Sequence, residues 1–323
     1  TTQKDAVVIE EVEKPDFETA HIVSVSERYY SDEQMQMAKF ISEYYFSSFG
    51  EAISLFFPFG QKSVQCSVFS VQEMPTLTPS QEKAYDQLLK KEKALLFGVT
   101  GSGKTEIFIT LMAKMIEEGK TSIFLMPEIS LTPQMEKRLK VHFGEHVAMW
   151  HSKLTKKKKE SILEGIEEGK IRIVAGARSA LFVPLSNLGL IIVDEEHDDS
   201  YKAMTRPRYH ARDVAVLMGN KLGAKVLLAS ATPSMSSYHK YDVVKLGKPY
   251  IQTEKKYIFI PGDSISHTML DAIHRHYKSG DQSLLFLPTR GNFKYLYCEN
   301  CGKTHLCPFC SVGMALHRKY KHL

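Results

Sequence analysis

Gly98-Val99-Thr100-Gly101-Ser102-Gly103-Lys104-Thr105 matches the phosphate-binding loop pattern G-x-x-x-x-G-K-[ST] at every constrained position. The apolar run before it, Ala94-Leu95-Leu96-Phe97, reads as a buried strand, and the glycines let backbone N–H groups converge on phosphate oxygens with no Cβ in the way. A helix starting near Lys104 carries Ile107, Phe108, Leu111, Met112 and Met115 on its apolar side and aims its positive end at the same anion. Lys104 adds a point charge, and Thr105 is placed to ligate Mg²⁺. The expected ligand is a nucleoside triphosphate with Mg²⁺, held by Gly98 through Thr105. A glycine-rich turn without a ligand is the plainer alternative, and the complete motif between strand and helix speaks against it.

Outward from this loop, amphipathic helices alternate with short apolar strands at 94–97, 122–126, 171–175, 190–193 and 226–229. Such alternation predicts an α/β fold, a parallel sheet covered by helices on both faces. Leu188-Gly189-Leu190-Ile191-Ile192-Val193 runs into Asp194-Glu195-Glu196-His197, so a buried strand delivers carboxylates to the sheet edge where such folds bind ligands. Asp194 suits Mg²⁺ held through water, and Glu195 can take a proton from water attacking the γ-phosphate. Ser230-Ala231-Thr232 follows the strand Val226-Leu227-Leu228-Ala229, and its hydroxyls can link the carboxylates to another face. His197 is a candidate relay in that network, although a lone histidine beside a strand is more often a packing residue.

The 323 residues are 43% hydrophobic and 24% charged with a net charge of +5, ordinary for globular protein and compatible with nucleic acid. No apolar stretch approaches the length of a membrane span, and Thr1-Thr2-Gln3-Lys4-Asp5 lacks signal-peptide character. A cytoplasmic setting is expected, and the missing initiator Met fits a fragment of a longer protein. Residues 1–60 read as an accessory region with strands near Val7–Ile9 and His21–Val25 and a helix from Ser31. A polar linker, 61–77, precedes the nucleotide-binding lobe, 78–238. Residues 239–297 read as the start of another α/β unit, with a helix over Met269, Leu270, Ile273 and Tyr277 and a strand at Ser283–Leu287, and too few residues follow to complete it.

Four of the five cysteines fall in Cys298-x₂-Cys301-x₅-Cys307-x₂-Cys310, within a module spanning 298–323. Paired C-x-x-C knuckles in an intracellular chain point to Zn²⁺, with Cys66 a bystander. The short gap between the pairs suggests that they do not share one ion, since knuckles that do are separated by about 15–20 residues. Lys156-Lys157-Lys158-Lys159 reads as a solvated helix face.

The order GVTGSGKT, PEISLTPQ, GARSALF, DEEH and SATPS resembles the superfamily-2 helicases and, within them, the primosomal replication-restart helicases. The resemblance covers residues 78–310. Its most specific pieces are Pro127-Glu128-Ile129 with Leu131-Thr132-Pro133-Gln134, Arg178 through Phe182, and Asp194 through His197 followed by Tyr201-Lys202 and Arg208-Tyr209-His210-Ala211-Arg212-Asp213.

The resemblance implies a RecA-like lobe and an ATP-driven 3′-to-5′ DNA helicase that recognises stalled or abandoned forks and starts primosome assembly. Implied partners are forked and single-stranded DNA, primosome proteins and single-strand-binding protein, in a bacterial, nucleoid-associated setting with no membrane. It places Gln81 against the adenine edge, and Lys104, Asp194, Glu195 and His197 in catalysis. Glu128–Gln134 and Gly176–Phe182 would lie on the strand backbone, and 198–213 would form an aromatic-rich loop whose rings stack on bases. Its cysteine module carries four pairs holding two zinc ions, first with fourth and second with third. Cys298 with Cys301 and Cys307 with Cys310 would then be two half sites, with His305, His317 or His322 as substitutes. Residues 41–53 resemble the stretch after the family's 3′-end-binding domain, with no room for a full winged helix before Thr78. Arg290 is followed only by Arg318, so the second-lobe arginine motifs are missing and slow hydrolysis is expected. Alternatives are a duplex translocase of a restriction or recombination complex, and a non-enzymatic fork-binding loading platform.

Overall fold

Strand residues in this chain sort by parity, and the sort builds the fold. Leu95, Ile123, Leu125, Val174, Ile191, Val193, Val226 and Leu228 enter one apolar cluster. Their neighbours Ala94, Leu96, Phe124, Ile173, Ala175, Leu190, Ile192, Leu227 and Ala229 enter another. Successive strand side chains point to opposite faces, so each strand is buried on both sides and reads as a continuous apolar run. The computed structural model describes residues 22–60, 74–247, 256–260 and 266–285, with single positions outside these stretches.

The first of two compact units spans Thr1–Thr253. Helix α1 (Asp32–Tyr44) begins with a Ser31/Gln34 capping box and α2 (Phe49–Ile53) with a Ser48/Glu51 box, each satisfying otherwise orphaned N–H groups. Then follow α3 (Pro79–Leu89), β1 (Lys93–Gly98), α4 (Lys104–Glu117), β2 (Thr121–Leu125), α5 (Pro133–Phe143), β3 (Val147–Trp150) and α6 (Lys156–Glu167). The unit continues with β4 (Ile173–Gly176), β5 (Leu188–Asp194), α7 (Ala211–Leu222), β6 (Lys225–Ser230), α8 (Met235–Lys240) and β7 (Asp242–Leu246). The seven strands order as β3-β4-β2-β5-β6-β1-β7. Every pairing is parallel.

Helices α1, α2, α6 and α7 cover one face through Met37, Ile41, Ile53, Leu163, Ile166, Val214 and Met218. Helices α3, α4 and α5 cover the other through Leu88, Phe108, Met112, Leu139 and Phe143. Register places Asp194 opposite Ala229 and Phe97 opposite Ser230. The loops leaving β1, β5 and β6 therefore emerge side by side from one edge. At the β3–β4 end the backbones pass so closely that a Cβ on Gly176 would lie 1.9 Å from the Trp150 carbonyl oxygen.

Residues 29–59 pack onto the lobe: an antiparallel bridge joins Tyr29 to Phe59, and Phe56 and Phe57 meet Phe182 and Trp150 at ring separations of 4.9 and 5.0 Å. The sheet runs past Tyr238, because β7 pairs with β1. β3 is a strand that apolar patterning overlooked. Residues 22–25 form no strand.

In the second unit, Glu254–Leu323, α9 (His267–Lys278) lies where a helix was expected, while 257–260 and 283–285 form no strand. Cys66, Cys298, Cys307 and Cys310 lie outside the described residues; Cys301 is exposed and free. No metal-ligating cluster is present among the described residues.

Candidate nucleotide site

The phosphate loop has the backbone its glycines predict. Gly101 and Gly103 take φ of +74° and +81°, which a Cβ disfavours. Gly103 is the N-cap of α4 and supplies no side-chain acceptor, so the first-turn N–H groups point outward with the positive end of the helix. Ser102 Oγ is buried with no hydrogen-bond partner among the described residues, a polar atom suited to a ligand oxygen. Lys104 Nζ donates to the Gly98 carbonyl at 2.8 Å and lies 3.7 Å from Glu195 Oε1. Lysine and glutamate, ninety-one positions apart, thus meet at one sheet edge.

Asp194 ends β5. Burial, and then the neighbouring Glu195 charge, push its carboxyl up to about 6 against the pull of Lys104. A divalent cation in front of Asp194 would relieve that penalty, and hydroxyl and carboxylate oxygens are hard donors suited to Mg²⁺. Tyr201 donates to the Asp194 carbonyl at 2.6 Å, fixing the strand end from the other side.

Glu195 holds φ at +46°, a conformation that costs a non-glycine residue about 1–3 kcal/mol and is concentrated at functional sites. Its Oε2 accepts from Ser230 Oγ at 3.1 Å. Since Ser230 spends its single proton there, the 2.8 Å contact with His197 Nδ1 requires Nδ1–H to be the donor. The Thr232 N–H donates to the same Ser230 oxygen at 2.9 Å, filling its second lone pair. Thr232 Oγ1 lies 3.4 Å from His197 Nε2. The chain His197 to Ser230 to Glu195 is therefore directional, with every proton assigned.

Glu196 is a site residue that sequence patterning did not single out. It is fully buried, yet its carboxylate accepts from the Ser234 N–H at 2.6 Å, Ser237 Oγ at 2.8 Å, Arg212 Nη1 at 3.0 Å and Ser234 Oγ at 3.2 Å. Burial would raise its carboxyl, but these hydrogen bonds outweigh it and hold the group below the usual carboxylate range. The signal was available: two adjacent glutamates after a strand face opposite ways, and the second needs a cation, here in the quoted run Arg208–Asp213.

Other predicted residues take different surroundings. Gln81 is buried at the start of α3; its Oε1 accepts from the Thr78 N–H at 2.7 Å and its Nε2 donates to the Gly103 carbonyl at 3.2 Å. Its amide thus ties the helix cap to the phosphate loop. Arg178 donates to the Ser200 and Lys202 carbonyls at 2.9 and 3.0 Å, bracing the 198–213 loop. Within that loop Tyr201 and Tyr209 are core residues, 1% and 4% exposed, so they are not stacking rings. Each phenol is pushed up mainly by burial. Its cations Lys202, Arg206 and Arg208 are exposed, as is Met204. Lys156–Lys158 are exposed and Lys159 lies over Trp150, so the lysine run is a largely solvated face.

The RecA-like lobe carrying this site defines the class. The DEAD/DEAH box helicase family matches residues 78–241, half of the chain, and the chain belongs to that family. Within it, the chain is similar to the Replication restart protein PriA of Helicobacter pylori strain J99, 43% identical over 98% of this chain and 52% of that protein. It is 37% identical to PriA of Rickettsia prowazekii, over 90% of this chain and 48% of that protein. With PriA of Bacillus subtilis identity is 36%, over 79% of this chain and 34% of that protein. The chain spans about half the length, or less, of these relatives. Among the described residues no helix is long and apolar enough to cross a membrane.

Proposed function

We propose that the chain is the ATP-binding, strand-engaging part of a replication-restart DNA helicase. The observation that carries this is the approach of Lys104 to Glu195 at 3.7 Å across the parallel sheet. In this mechanism the N–H groups of the 98–105 loop and Lys104 bind the ATP phosphates, with Ser102 Oγ offering a further polar contact. Thr105 and Asp194 would hold Mg²⁺, which when bound neutralises developing phosphate charge. Glu195 accepts the proton of the water attacking the γ-phosphorus as the bond to the bridging oxygen breaks. Ser230 and His197 keep Glu195 oriented, and through Thr232 they connect it to the loop beyond β6.

The finer features follow from the resemblance and belong to the same proposal. These are 3′-to-5′ movement, recognition of stalled forks, primosome assembly with single-strand-binding protein, and action in the bacterial cytoplasm at the nucleoid. The thiolate pairs Cys298 with Cys301 and Cys307 with Cys310, each half of a site, are of the donor type that takes Zn²⁺, which elemental analysis would detect.

The test pairs two variants. Lys104→Ala should weaken ATP binding at least tenfold, the loss of a charge-assisted phosphate contact being worth more than about 1.4 kcal/mol. Glu195→Gln should keep ATP binding while reducing turnover by about 10²–10⁴. Unchanged ATP affinity in Lys104→Ala would sink the proposal. Forked DNA unwinding separates a helicase from a platform that only binds forks.

A further inference from the structure

The turn closing α1 carries aromatic surface that the fold does not use. Phe46 is 90% exposed and holds φ at +51°, the left-handed region that a bulky side chain enters at a cost. It is therefore strained without gaining burial. Tyr44, 63% exposed, is stacked on Phe40 at 5.2 Å and meets the Tyr45 ring edge-on at 4.9 Å. The Tyr44 ring is held in place by these two neighbours, which removes most of the ordering cost of presenting it to a ligand.

This turn adjoins the basic loop of the lobe. Lys202 Nζ lies 5.5 Å over the Tyr45 ring, and the His210 N–H donates to the Tyr45 hydroxyl at 3.4 Å. The two residues bracketing the loop are thus both tied to Tyr45, and between them Arg206 and Arg208 are exposed. Acids near the loop include Asp199, exposed and bonded through its carbonyl to the Lys202 N–H, Glu43, exposed on α1, and Asp213, already paired with Arg212. Flat rings near arginines that make no ion pair among the described residues match single-stranded nucleic acid, whose bases stack on aromatic faces while its phosphates meet Lys and Arg.

We propose that Tyr44 and Phe46 form a base-stacking platform that extends the strand-binding surface of the 202–210 loop onto α1, with single-stranded DNA as its ligand. The proposal rests on the strand-binding function above, and it assigns stacking to α1 in place of the buried Tyr201 and Tyr209. Sequence-independent binding is expected, because every base offers a π-face.

The test measures anisotropy of a labelled oligothymidylate with the 323-residue chain, its Phe46→Gly and Tyr44→Ala variants, and an Arg206→Glu/Arg208→Glu double variant. Glycine suits the backbone at position 46, so Phe46→Gly should melt no lower than the parent, and weaker binding cannot then be ascribed to unfolding. Loss of one stacking ring should weaken binding about tenfold. The salt dependence should be unchanged in Phe46→Gly and Tyr44→Ala and shallower in the arginine variant. If the arginine variant weakens binding while both aromatic variants bind like the parent, the platform is wrong and the loop site stands. If the parent does not bind the oligonucleotide, or the arginine variant binds equally well, the strand-binding function itself fails and the platform with it.

Discussion

Replacing Glu196 with alanine should destabilise the nucleotide-binding unit more than any surface change of similar size. The substitution deprives four donors of their acceptor: Arg212 Nη1, the Ser234 N–H, Ser234 Oγ and Ser237 Oγ. Removing one partner of a buried ion pair costs about 3–5 kcal/mol. Arg212 keeps its 2.9 Å contact with Asp213, so the lower end, about 3 kcal/mol, is expected. For a unit of this size that is roughly 6–12 °C in melting temperature. The pH dependence gives a second check. Because the folded-state carboxyl lies below its usual range, its contribution is complete above the unfolded value and is lost as pH falls through the folded one. Urea titrations should give a constant gap between parent and variant from pH 8 to about 5, narrowing below about 4. A gap under about 1 kcal/mol at neutral pH would refute the reasoning, as would one that persists undiminished at pH 3.

Asp194→Asn should have the opposite sign. Its carboxyl is pushed up to about 6, so the charged form opposes folding above that pH. The variant should gain on the order of 2–3 kcal/mol at pH 7.5 without nucleotide or Mg²⁺, an advantage that vanishes below about pH 4 where both states are protonated. Melting curves across that range decide it. Gly176→Ala places a Cβ 1.9 Å from a backbone oxygen and should separate β3 from β4, lowering stability by more than about 2 kcal/mol in denaturant titration. Ser230→Ala removes the donor to Glu195 and should lower ATP turnover about tenfold at unchanged ATP affinity; an unaltered rate would show that the His197 chain is ornamental to hydrolysis.

What was legible in the sequence follows the strength of each local signal. The 98–105 loop and the 188–194 strand were readable because a phosphate cradle admits few residues and a strand buried on both faces must be apolar throughout. β3 escaped because four residues, Val147-Ala148-Met149-Trp150, carry too little β-branched character to stand out. β7, Asp242-Val243-Val244-Lys245-Leu246, is an edge strand whose charges at 242 and 245 break the apolar run down to two adjacent valines. In the 198–213 loop, rings interleaved with cations imitate a nucleic-acid surface. Burial instead takes Tyr201, Ala203, Pro207 and Tyr209. The alternation of 201 with 203 and of 207 with 209 was the overlooked cue. For residues 31–53 the amphipathic pattern indicated a packed helix without naming its partner, since the complementary face lies more than a hundred residues away in Phe182, Tyr209 and Met218.

Two adjacent carboxylates at the end of β5 clamp the same segment at two points. Glu195 accepts from Ser230 at the last residue of β6, and Glu196 accepts from Ser234 at the cap of α8. The positive φ at Glu195 marks the abrupt turn at which these neighbours diverge, one toward Lys104 and the other toward Arg212. Arg212 lies in the first turn of α7, immediately after the loop whose Lys202 and His210 both touch Tyr45. Contacts thus run without a break from the start of α7 through Arg212 and Glu196 to Ser234, and along 230–234 to Ser230 beside Glu195. Charge-assisted contacts at a buried carboxylate are short and stiff. If the proposed strand sits on the loop, these contacts link it to Glu195, and shortening Glu196 should then uncouple ATP turnover from single-stranded DNA even where the protein remains folded.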